Sequence, residues 1–264
     1  MNTTEQTAVA GPAERGVGPL VNVAVLFARD DSHYKTLPQC DVYDMARDAR
    51  NYDGPWPVVA HPPCRAWATL RHHAKPRADE RNLARLAVAL VREFGGVLEH
   101  PHRTTLWEAQ RLPAVGQRDA FGGFTLVIDQ NWWGHRAQKR TRLYVVGCEP
   151  AEVPPLPLVL GEATHTVGLW SGRDKATCRP SIAKREYEHT PPDLAEWLVA
   201  LAKRCKASTG RGQIDRLLHG RPRKKIEAAD LGAPMFAEDY ERPNAKAHRR
   251  DGSEADGTSG AAPC

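Results

Sequence analysis

Apolar residues in this chain arrive in short bursts set between long polar stretches. The first burst, residues 21–28 (V-N-V-A-V-L-F-A), is rich in β-branched residues and predicts a buried strand. Residues 41–44 (D-V-Y-D) predict a second short strand, and Val58-Val59-Ala60 a third that runs straight into Pro62-Pro63-Cys64. Over residues 79–94 the period changes. Leu83, Leu86, Ala87, Leu90, Val91 and Phe94 recur at helical spacing, and Gly95-Gly96 supplies the stop. Val97-Leu98 opens a further strand ending in Glu99-His100-Pro101. A short helix is predicted over 106–111, with strands over 124–128 and 143–147. Thr190-Pro191-Pro192-Asp193 opens the last helix, with Thr190 as cap and Leu194, Trp197, Leu198 and Leu201 on its apolar face. Alternation of strand, helix and strand predicts an α/β fold: a Rossmann-like, largely parallel sheet with flanking helices.

Composition narrows the setting. A chain of 264 residues, 41% hydrophobic and 26% charged, has the makings of one sizeable core plus an appendage. No window approaches the roughly 20 apolar residues of a membrane span. Residues 1–20 read as a disordered leader without an export signal, so a cytoplasmic setting is expected. The cysteines at 40, 64, 148, 178, 205 and 264 include no C-x-x-C pair, and neither they nor His72, His73, His100 and His102 match a standard zinc spacing. Reduced thiols are the simpler reading. From residue 206 onward Gly, Ser, Arg, Lys and Asp dominate, predicting a disordered tail whose most basic patch is R-P-R-K-K at 221–225. One α/β domain over 21–205 is therefore expected between leader and tail.

The chemistry is expected where the third strand ends. Two prolines stop that strand and stiffen the loop bearing Cys64, at the edge where open α/β sheets bind ligands. Arg65 and His61 stand beside it in sequence, and their charge would lower the thiol pKa enough to make a nucleophile. Gln138, Arg140 and Arg142 alternate, so an extended backbone puts them on one face, either aimed over the sheet edge or solvated. Trp132-Trp133 is either a base-stacking pair or core.

Together these segments resemble the cytosine-5 DNA methyltransferase family, in a compact, phage-like form. Pro62-Pro63-Cys64-Arg65-x-Trp67 looks like its Pro-Cys nucleophile motif, and Val97-Leu98-Glu99-His100-Pro101 like its Glu-Asn-Val motif. Residues 138–147 (Q-K-R-T-R-L-Y-V-V-G) look like its Gln-x-Arg-x-Arg motif and the strand that follows. The resemblance implies that Cys64 adds to cytosine C6, that Glu99 holds N3 and the exocyclic amine, and that Arg140 and Arg142 support the carbonyl and nearby phosphates. It further implies S-adenosyl-L-methionine near Phe27, Ala28, Asp44 and Pro62. Double-stranded DNA would be met by Arg65, Gln138 and Lys139, its target base flipped out of the stack. Two departures stand out. The strand expected to hold the methyl donor continues as Leu26-Phe27-Ala28-Arg29-Asp30-Asp31, without a glycine. The recognition insert shrinks to about residues 149–178, so sequence readout is either minimal or provided by a partner protein. A relative with another one-carbon donor or a nucleotide substrate, and a non-catalytic DNA-binding relative, are the alternatives.

Overall fold

The structure is a computed structural model and describes residues 22–159, 161–167 and 179–207. The expected leader, the basic patch at 221–225 and part of the 149–178 insert lie outside the described residues.

In chain order the elements are β1 (Val23–Leu26), β2 (Cys40–Tyr43), β3 (Val58–Ala60), α1 (Glu80–Phe94), β4 (Gly96–Pro101) and α2 (Leu106–Ala109). There follow β5 (Phe124–Asp129), β6 (Ala137–Gln138), β7 (Arg140–Val146), β8 (His165–Thr166) and α3 (Pro192–Ala202). Six strands form a mixed α/β core in the order β2-β1-β3-β4-β7-β5, while β6 and β8 pair separately. The first four neighbours run parallel, and β7 alone is reversed, antiparallel to both β4 and β5.

Helices cover both faces, which is why the central strands read as unbroken apolar runs rather than alternating ones. Ala24, Leu26, Val58, Ala60 and Leu98 bury one face against Leu86, Leu90 and Val91 of α1. Val23, Val25, Val59, Val97 and Leu143 bury the other against Leu194, Leu198 and Leu201 of α3. Trp133 is part of that second layer, its ring 5.0 Å from Trp197 of α3, so the Trp132-Trp133 pair is core packing.

Two connections depart from the expected alternation. The β1–β2 and β2–β3 crossovers are made by single 3-10 turns, His33–Thr36 and Ala49–Asn51. Those segments lack a helical apolar period and are broken by Pro38, Pro55 and Pro57, so no helix propagates there. At α3, Pro191 takes the cap position expected of Thr190, and no side chain caps the helix.

Candidate active site

Because β7 runs backwards, its start lies beside the ends of β1, β3 and β4. A cleft of about 1410 Å³ opens over that edge. Its lining includes Phe27, Ala28, Asp30, Asp31 and Met45, together with Pro62, Cys64, Arg65, Glu99 and Lys139. The chain from Glu186 to Pro192, which leads into α3, forms the facing wall.

His61 follows β3, and its backbone N–H donates to the Leu26 carbonyl at 3.0 Å. That bond fixes its ring between two partners. Burial pushes the Tyr34 phenol well up, so its hydroxyl stays protonated and donates to His61 Nε2 at 2.9 Å. The ring proton is thereby left on Nδ1, which donates to Glu99 Oε2 at 3.2 Å. The other carboxylate oxygen, Oε1, accepts from Gln130 Nε2 at 3.1 Å, and Gln130 in turn bonds Thr141. Burial alone would raise the Glu99 pKa. The His61 hydrogen bond and the charge of Lys139 outweigh it and hold the carboxyl at about 2. Glu99 is therefore a fixed, ionised acceptor, and each oxygen keeps a lone pair for a ligand.

The electrostatics of Cys64 are opposite to the sequence expectation. Burial first, and the Glu99 charge second, push its thiol up to about 11 against the pull of Lys139. The adjacent arginine does not serve it. Arg65 reaches away to the buried Glu80, with which it forms a two-pronged ion pair. Nearness in sequence is not nearness of charge, and in the free protein the nucleophile candidate is a thiol.

Gln138, Arg140 and Arg142 do not line the cleft. Gln138 and Arg140 are exposed, and the Arg142 guanidinium lies 5.7 Å from the Trp107 ring. The cause is register: β7 pairs Arg142 with His100 and Leu143 with Glu99, so the Glu99 face receives Leu143 and Thr141, not the arginines. Lys139, one position from Arg140, lines the cleft instead. Its Nζ donates to the His189 carbonyl at 3.3 Å on the facing wall. Burial lowers its pKa, and the charges of Glu99, Cys64 and Glu188 oppose that.

Asp44 is likewise turned elsewhere. Its carboxylate accepts from Lys35 at 2.6 Å and from the backbone N–H groups of Ala46 and Arg47 at 3.0 Å, closing the turn after β2. It does not line the cleft, whereas its neighbour Met45 does. Phe27 takes a φ of +61°, the left-handed turn that glycine adopts at least cost. The backbone thus bends sharply after β1 without a glycine. The facing wall is pinned by ion pairs, Arg136 to Glu186 at 2.7 Å and Arg29 to Glu188 at 2.8 Å.

Sequence reasoning missed Tyr34, Gln130 and the Glu186–Pro192 wall, and it gave His61 a different task. The polar residue directly before Pro62-Pro63-Cys64 was the available signal for His61. No family model and no curated protein matches the chain. Among the described residues, no helix is long and apolar enough to cross a membrane.

The chemistry on offer is well defined. A carboxylate that only accepts, an ammonium that only donates and a thiol converge on one cleft. Such a set grips a flat heterocycle bearing donors on one edge and a carbonyl nearby, and it presents sulfur for addition to an electron-poor ring carbon.

Proposed function

We propose that this chain is a compact cytosine-C5 DNA methyltransferase acting through a covalent Cys64 adduct. The observation that carries the reading is the meeting of Cys64 and Glu99 in one cleft, with Glu99 locked as a carboxylate by His61 and Gln130. A mostly parallel sheet with its cleft at the strand ends is compatible with a Rossmann-like fold and supports the same reading.

Cytosine C5 is too weak a nucleophile to take a methyl group unaided. The Cys64 thiolate adds to C6, forming Sγ–C6, and the C5=C6 electron pair moves onto C5 and, by conjugation, toward N3. Glu99 accepts a hydrogen bond from the exocyclic amine; as charge reaches N3 that nitrogen takes a proton from solvent, returned on release, and Glu99 then accepts from N3–H and stabilises the adduct. Release reverses the addition: the C5 hydrogen leaves as a proton and the Sγ–C6 pair returns to sulfur. The base reaches Cys64 only when turned out of the duplex.

The lining around Phe27 supports a methyl-donor site. Phe27 makes the left-handed bend after β1, and Asp30 and Asp31, also in the lining, would supply acceptors for ribose hydroxyls or an ammonium group. Phe27, Ala28, Asp31 and Pro62 would hold S-adenosyl-L-methionine, which supplies an electrophilic methyl group when bound. Double-stranded DNA is the substrate in this reading. Sequence choice falls to a partner protein, because only a short segment separates β7 from α3.

The raised Cys64 pKa favours one alternative, a DNA-binding relative that transfers nothing. Duplex DNA carrying 5-fluorocytosine separates the two. With S-adenosyl-L-methionine present, the methyltransferase gives a denaturation-resistant adduct that mass spectrometry places on Cys64, and Cys64→Ser abolishes it. Folded protein that binds DNA but forms no adduct under any condition overturns the catalytic reading.

A further inference from the structure

The arginines and lysines lining the cleft differ in what already holds them. Arg29 is paired with Asp31 and Glu188, Arg65 and Arg77 with Glu80, and Arg136 with Glu186. Among these described cleft-lining cations, Lys139 has no carboxylate in ion-pair range, only the His189 carbonyl. An ammonium has three donors, so two remain for whatever enters. Withdrawing such a charge from water without a partner costs stability, and a fold keeps it where it does work. It lines the same cleft as Cys64 and Glu99, and its charge bears on both.

We infer that Lys139 is the catalytic cation of this site: its ammonium faces the Cys64 sulfur as a thiolate and donates to the carbonyl of the bound pyrimidine, in place of Arg140 and Arg142. The substrate half of this inference rests on the methyltransferase reading; the thiol half does not. When Cys64 is activated its proton passes to solvent, the sulfur pair forms Sγ–C6, and the displaced C5=C6 pair spreads through C4 and N3 toward the carbonyl oxygen. Negative charge thus appears first on sulfur and then on oxygen, and a single ammonium beside both stabilises each in turn. Lysine suits this better than arginine. Its head is a compact point charge on a flexible stem, able to follow the charge from one atom to the next.

The test compares wild type, Lys139→Met, Lys139→Arg and the exposed Arg140→Gln. Alkylation of Cys64 by iodoacetamide is followed against pH, with mass spectrometry assigning the modified cysteine. Lys139→Met is expected to move the midpoint upward and slow the reaction at pH 8 by about tenfold, the effect of one pKa unit. Lys139→Arg retains most of the rate and Arg140→Gln all of it. Thermal melts guard against misfolding, and loss of a desolvated charge leaves Lys139→Met at least as stable as wild type. On 5-fluorocytosine duplex with the methyl donor, Lys139→Met forms adduct far more slowly than wild type. A wild type that forms adduct while Lys139→Met is alkylated and trapped at the same rates overturns the inference and leaves the methyltransferase standing. Slower alkylation of Lys139→Met with no adduct in wild type does the reverse: it supports the thiol–ammonium pairing and removes the methyltransferase.

Discussion

At the scale of single residues, the site sets two neighbouring side chains against acid. His100 is fully buried on the α1 face, neither ring nitrogen has a partner among the described residues, and burial pushes its pKa down to about 4. Its folded pKa lies below the unfolded 6.5, so its contribution is complete above pH 6.5 and is lost as pH falls toward 4. Glu99, at about 2 against 4.5, keeps its contribution above pH 4.5 and loses it toward pH 2. Each shift is worth roughly 3 kcal/mol. Urea titrations at pH 7, 5 and 3 are expected to show wild type weakening over both windows. His100→Leu removes the upper part, and at pH 7 it matches or exceeds wild type, because no hydrogen bond is lost with the ring. Glu99→Gln flattens the lower part. The limits of sequence reading are plain at this scale. Cys64 and Glu99 were legible because both end apolar runs, but the thiol's environment was not. Arg65 stands next to Cys64 in sequence and spends its charge on Glu80, whereas the cation whose charge acts on the thiol, Lys139, comes from β7's lead-in.

At the scale of elements, β4 levels the site. Gly96 follows α1 with a φ of +121°, and a Cβ there would run into the backbone of Val58 on β3. Only glycine lets the chain leave the helix and pair with β3 at once, which brings Glu99 level with the end of β3. Gly96→Ala is expected to cost more than about 3 kcal/mol, a loss of core-mutation size. A fall in melting temperature checks it, and a variant melting with wild type would refute the packing argument. The strands and α1 were readable because an apolar run or a helical period is a local property. The direction of β7 was not, since it is set by pairing with β4 and β5. Alternation set Arg140 and Arg142 on one face of β7; a register fixed far away in sequence decided which face that was.

At the scale of the molecule, the cleft is closed on one side by a wall held mainly through charge. Glu186 and Glu188 meet Arg136 and Arg29 at exposed ion pairs, and added salt screens such pairs within about 3 Å at 1 M. Raising salt from about 0.1 M to 1 M is expected to speed hydrogen exchange at residues 186–190 while β1, β3 and β4 keep their protection. Equal protection at both salts would show the wall to be held by packing instead. That wall continues directly into α3, whose Trp197 lies against Trp133 of the cleft lining. The two indoles, tilted at 57° to each other, therefore connect the cleft lining to the helix that the wall leads into. Their ultraviolet emission depends on their mutual angle and on the water beside them, so the molecule carries its own optical gauge of occupancy, readable without a label or a turnover.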